Sequence, residues 1–183
     1  MCYRKALMRR WLARLVVISA AAATVAGCGY HLVGTSSFLP EDMKILYVAP
    51  FENLTTWADM DQRLGEALNR EWVRRRRFEL VNQAKGADVI LKGVISTITV
   101  APVTFDDNGR ATEYQMTLRA SVQLVDPRGD EPEVLWEDKG FSRQSSYDVD
   151  ESAVNYFDRQ MESMEILSRD FARSLVSAVL EGF

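Results

Sequence analysis

The chain has 183 residues, 47% hydrophobic and 26% charged, with 22 Lys or Arg against 26 Asp or Glu and a formal net charge of −4. His31 is the sole histidine and Cys2 and Cys28 are the only cysteines, which is too few for a His/Cys zinc site and would tie any Ser/His/Asp triad to His31. No GxxxxGKS, GxxxxGKT or GxGxxG run is present to cradle a phosphate, and the acidic balance excludes a general polyanion-binding surface, nucleic acid included. No metal and no dissociable cofactor is expected.

The first 15 residues carry Arg4, Lys5, Arg9, Arg10 and Arg14 and no acidic residue, and from Leu15 to Ala26 only Ser19 and Thr24 interrupt an apolar run. That run is shorter than the about 20 apolar residues of a spanning helix, so it reads as a secretory signal over 1–27. It ends in Val25-Ala26-Gly27-Cys28, which looks like the lipobox of bacterial lipoproteins. Cys28 then becomes the first mature residue, carrying diacylglycerol on its thiol and an acyl chain on its amine, and several chains together make a stable membrane anchor. Gly29, rather than aspartate, follows it, which under the enteric sorting rule favours the outer membrane. With the signal removed, 156 residues remain; losing five of the 22 basic residues leaves 17 against 26 acidic ones, close to −9. Cys2 leaves with the signal and Cys28 is acylated, so no disulfide forms within the chain and packing alone must stabilise it. A chain of that length buries roughly 70% of its unfolded surface, which suits one domain.

A connector over 28–43, "GYHLVGTSSFLPEDM" after the cysteine, is rich in turn formers. A single domain over 44–183 follows. "KILYVAP" at 44–50 predicts a first strand ended by Pro50. Apolar residues at 57, 60, 64, 67, 68 and 72 predict a helix over 57–75, capped by Thr55 or Thr56, with Glu66 and Arg70 paired on its polar side. "RFELV" allows a short extended piece, and "ADVILKGVISTITVAPV" at 87–103 predicts a second strand. Asn108-Gly109 signals a hairpin. The third strand alternates strictly, with Thr112, Tyr114, Met116, Leu118, Ala120, Val122 and Leu124 on one face against Glu113, Gln115, Thr117, Arg119, Ser121 and Gln123. "DPRGDEP" turns the chain into a fourth strand, "EVLWEDKGFSRQSS". From Asp150 or Ser152, apolar residues at 154, 157, 161, 164, 167, 171, 175 and 178 predict a helix of about 30 residues, roughly 45 Å long. The order β-α-β-β-β-α predicts an α+β two-layer sandwich, two helices on one face of a four-stranded mixed sheet, with the polar face of the third strand outward.

With these elements placed, the chain resembles the LptE family of outer-membrane lipopolysaccharide-assembly lipoproteins. The resemblance is carried by "GCGYHLVG", by "LPEDMKILYVAPFENLT" and by "NGRATEYQMTLRASVQLVD" across the hairpin. It implies a non-enzymatic domain anchored to the outer membrane, lodged from the periplasmic side in the lumen of the LptD β-barrel, which it helps assemble and plugs, and in contact with lipopolysaccharide. The hairpin tip, Asp107, Asn108, Gly109 and Arg110, is the candidate docking element, since exposed tip residues change at little cost to the fold.

The candidate lipopolysaccharide contacts are Arg110, Arg143, Arg74 and Arg77, because guanidinium forks suit phosphate. Each has a plainer reading: Arg74 to Arg77 also suit the C-terminal dipole of a helix, and Asp106 and Asp107 stand beside Arg110 where the family carries basic residues. His31 reads as a membrane-proximal linker residue. Two other functions share most of these features. An envelope lipoprotein that scaffolds another complex needs the same anchor and fold, while a carboxylate-only hydrolase needs two acids converging in a cleft.

Overall fold

The computed structural model describes residues 39–149 and 154–182. Cys28, His31, the signal, most of the connector and the start of the segment into the last helix lie outside them, as do the side chains of 154–157. In chain order the elements are β1 (Ile45–Val48), β2 (Glu52–Asn53), α1 (Met60–Arg75), β3 (Glu79–Val81), β4 (Val89–Phe105), β5 (Ala111–Asp126), β6 (Glu133–Asp148) and α2 (Val154–Glu181). The α+β layout is as expected, but the sheet has six strands rather than four. Of the two further strands, β3 lies within "RFELV", where a short extended piece is expected, and β2 is not anticipated; both are too short for a periodicity to show.

The strand order is β3-β1-β4-β5-β6, with β2 also on β4. β1 lies parallel between β3 and β4, and β2 continues along the same edge of β4. Pro50 separates β1 from β2 and puts Phe51 into the core over Gly93, where a Cβ would overlap the ring. Glycine is required at 93 for that close approach. Asp88, just before β4, fastens the start of the sheet: its Oδ2 accepts the Lys44 and Ile45 amides, each at 2.8 Å.

β4, β5 and β6 form an antiparallel meander of 16- and 17-residue strands, roughly 55 Å long at 3.3 Å per residue. The alternation in β5 holds: Met116, Leu118, Ala120, Val122 and Leu124 are buried, and Arg119 is exposed. β4 does not alternate so simply. A register shift between Ile95 and Thr97 inserts one residue, so the inward set passes from Val89, Leu91 and Ile95 to Ile98.

Both helices cover the inner face. α1 buries Met60, Leu64, Ala67, Leu68 and Trp72, the predicted stripe, while Trp57 packs at its margin. The helix starts three residues later than predicted, at Met60. Its N-cap is Asp59 in the left-handed region, φ 60°, with no side-chain cap. Thr55 is used elsewhere: its Oγ1 donates to Asn53 Oδ1 at 2.7 Å and accepts the Trp57 amide at 3.2 Å, knitting the loop before the helix. α2 buries Met164, Leu167, Phe171, Leu175 and Val179, and Phe171 meets Phe141 of β6 edge to face at 4.9 Å. Met161, predicted in this stripe, is 47% exposed, its sulfur 4.0 Å from Arg63 Nη2.

Candidate partner-binding surface

The β4–β5 hairpin ends in a loop closed by Asp106. The Asp106 amide donates to the Arg110 carbonyl at 2.8 Å, and the Gly109 amide donates to the Asp106 carbonyl at 2.9 Å. Gly109 has φ 75° and Asn108 does not enter the positive-φ region. The tip is therefore a three-residue loop with glycine at the left-handed position, not the two-residue reversed turn that Asn-Gly suggests. Asp106 Oδ1 also accepts the Asn108 and Arg110 amides, at 2.9 and 2.8 Å. These bonds, the Arg110 amide first, hold its carboxyl below the usual aspartate range. Arg110 folds back onto the same carboxylate, Nε to Oδ2 at 3.2 Å, and remains well exposed. Asp106 is thus the residue that shapes the tip. Asp106 opens the turn residues "DDNGR" in the sequence, where an Asp at the first position of a turn is a signal, but which amides its carboxylate accepts is visible only in the structure.

The strands leading to the tip show two kinds of surface. On the outer face, Thr97, Arg119 and Ser142 form one cross-strand row, Thr99, Thr117 and Gln144 the next, and Ala101, Gln115 and Ser146 the one nearer the tip. Hydroxyls and amides dominate these rows, and Arg119 carries their one charge. Along β4, the last residues leave the cover of the helices: Val103 and Phe105 are 46% and 56% exposed. β2 reaches only Val94 and Ile95, so the β4 edge beyond them has no neighbouring strand among the described residues.

The four candidate arginines do not converge. Arg74 and Arg77 lie at the C-terminal end of α1, where β3, β1 and β4 begin, and Arg110 lies at the far end of β4. Arg77 is engaged locally, with Nη1 on the Met43 carbonyl at 2.8 Å, Nη2 on the Pro40 carbonyl at 2.9 Å and its guanidinium 4.6 Å from the Phe78 ring centroid. Arg74 is open to solvent, 3.5 Å from Glu71. Arg143 pairs in register with buried Leu118, so it rises from the inner face. It is half-buried, its guanidinium 4.6 Å from the Phe141 ring centroid and Nη1 on the Ser142 carbonyl. Among the described residues no group of three or more acidic, His or Cys side chains is placed to hold a metal ion, and no helix is long and apolar enough to cross a membrane.

The family model described as LptE, lipopolysaccharide-assembly, matches residues 43–179, from the strand-one approach through nearly all of α2. The chain belongs to the LptE family. The chain is also similar to solved structures at low identity. A hypothetical protein from Chlamydia trachomatis is 11% identical, with a TM-score of 0.53 over 76% of this chain and 96% of its own. An uncharacterized lipoprotein B from Nitrosomonas europaea is 19% identical, TM-score 0.46, over 84% and 96% of the two chains. The rare lipoprotein B from Shewanella oneidensis is 14% identical, TM-score 0.42, over 74% and 92%. The first of these shows that the LptE-family layout seen here is a recurring fold. The segment from Asp107 through Asp126 that carries the tip and β5 falls wholly within the matched region.

Proposed function

We propose that this LptE-family chain is an outer-membrane lipoprotein, acylated at Cys28, that docks through the Asp107–Arg110 hairpin tip into the lumen of an LptD-like β-barrel. There it assists assembly of the barrel and plugs it during lipopolysaccharide transport. The observation that carries this reading is the outer sheet face: rows of hydroxyls and amides along the middle of the long strands, followed towards the projecting tip by Thr104 with the carboxylates of Glu113 and Asp148, in a chain of this family. The interior of a transporting barrel is polar and wet, so a partner there gains from hydrogen bonds and shape rather than from an apolar patch. The anchor supports the same arrangement by holding the domain at the membrane, at high local concentration relative to the barrel. Arg110 and Arg143 are the candidate lipopolysaccharide contacts on the β4–β6 side. Charge reversal at a phosphate contact weakens lipopolysaccharide binding in a salt-dependent way. Arg110→Glu and Arg143→Glu, measured by binding at low and high salt, check this assignment. Purification of the native lipoprotein from outer membrane should bring an LptD-like barrel with it. Recovery with a different envelope complex and no barrel would favour the scaffold reading.

A further inference from the structure

A second surface lies at the opposite end of the molecule from the hairpin. At the C-terminal half of α1 and the facing part of α2, guanidiniums outnumber the carboxylates that serve them. At the end of α1 Glu71 is shared by Arg74 at 3.5 Å and Arg75 at 2.9 Å; farther back along the two helices Glu165 is shared by Arg63 of the first turn of α1, by Arg70, which also reaches Glu66 at 3.7 Å, and by Arg169, at 3.9, 3.3 and 4.0 Å. Arg76 ends α1 with φ 53°, its amide on the Trp72 carbonyl, and its side chain lines a shallow depression with Lys44 and Val73. Glu41 and Glu79 share that depression and temper its charge on the sheet side. Val73 is 63% exposed, an apolar side chain standing among these cations.

The position of this patch along the chain says what it faces. Arg77 straps the 40–43 turn to the base of α1 through the Pro40 and Met43 carbonyls. Leu39 lies eleven residues after Cys28, a tether of at most roughly 40 Å. The hairpin tip is farther along by the length of β4, roughly 55 Å. The tether therefore sets a tighter limit on the distance between the α1 end and the anchor than on that between the tip and the anchor. We infer that the Arg74–Arg76 end of α1, with Val73 at its centre, rests on anionic phospholipid headgroups of the leaflet that holds the anchor. This rests on the Cys28 lipoprotein reading above. Arginine forks would take headgroup phosphates, Val73 would reach the interfacial zone, and the acidic balance of the rest of the chain would turn its other faces away.

The test uses the full-length acylated protein in lipid nanodiscs. Cys28 is acylated and Cys2 is removed with the signal, so Val73→Cys offers one thiol for a fluorophore, quenched by lipids spin-labelled near the headgroup. Quenching should be strong in discs containing phosphatidylglycerol and weak in phosphatidylcholine alone. Combining Arg74→Glu with Arg76→Glu, or raising the salt, should lower the bound population by roughly tenfold or more. Lys139→Glu, the reversal of an exposed cation on β6, should leave it unchanged. Equal quenching in both discs, or quenching that survives the double reversal, would overturn the inference. So would quenching that appears only when lipid A is present, which would give the patch to the glycolipid. Mass spectrometry separates the two claims: a chain without acyl mass on Cys28 sinks the anchor and this inference together, whereas an acylated chain with no headgroup contact sinks this inference alone.

Discussion

At the scale of single residues, a few polar side chains fix the irregular parts of this chain. Asp88 is one. The Lys44 amide, then the Ile45 amide, hold its carboxyl below the ordinary 3.8, against the opposing effect of burial. A carboxylate with a depressed folded pKa stabilises fully above its unfolded value, and that stabilisation is lost as pH falls through the folded one. Asp88→Ala should therefore cost about 1 kcal/mol near neutral pH, allowing for partial exposure. The gap between variant and wild type in urea melts should close as the pH drops below 3.8. A gap that persists unchanged in acid would show that Asp88 acts by packing rather than as an anion. Asp106 plays the corresponding part at the tip. These roles were hard to see in the sequence because an aspartate beside a strand signals a turn without saying which amides, here 43 and 44 residues away in the chain, it will accept.

At the scale of elements, what the sequence showed depended on whether one periodicity ran uninterrupted. β5 alternates from Met116 to Leu124, so its buried and outward faces could be assigned residue by residue there. Leu118→Asp should unfold the domain, because it places an unpaired carboxylate at a fully buried position, while Arg119→Asp should leave it folded. Circular-dichroism melting of the two variants checks this, and equal melting would contradict the strand register. β4 was legible as a strand but not as two faces, because the inserted residue between Ile95 and Thr97 shifts the pattern halfway along. The helix stripes were legible too, except at their ends. Asp59 caps α1 through its backbone, which leaves no side-chain signature, and Met161 lies at the margin of the α2 stripe, where a step of three or four residues no longer fixes the face. The short strands β2 and β3 owe their existence to the partners they meet, β4 and β1, rather than to their own residues.

At the scale of the molecule, the basic end of α1 and the hairpin tip lie at opposite ends of the long strand β4. Cys28→Ser replaces the sulfur that forms the thioether, so it should leave an unlipidated, full-length precursor, detectable by its mass and by its loss from the outer membrane. Normal cleavage with retention in the membrane would contradict the anchor. The candidate site was legible in the sequence as a hairpin and a set of arginines. Its shape was not, because the geometry of the tip depends on the bonds of Asp106, and the spread of Arg74, Arg110 and Arg143 along the long strands depends on the sheet order. The central claim is that the tip meets a barrel, and photo-crosslinkers at Asp107 and Arg110 in living cells test it most directly. Both positions should capture the lumen or loops of an LptD-like barrel, and replacing the tip should lower the amount of assembled barrel and admit large hydrophobic antibiotics. Capture of soluble periplasmic proteins alone, with normal barrel levels after depletion of the lipoprotein, would contradict it.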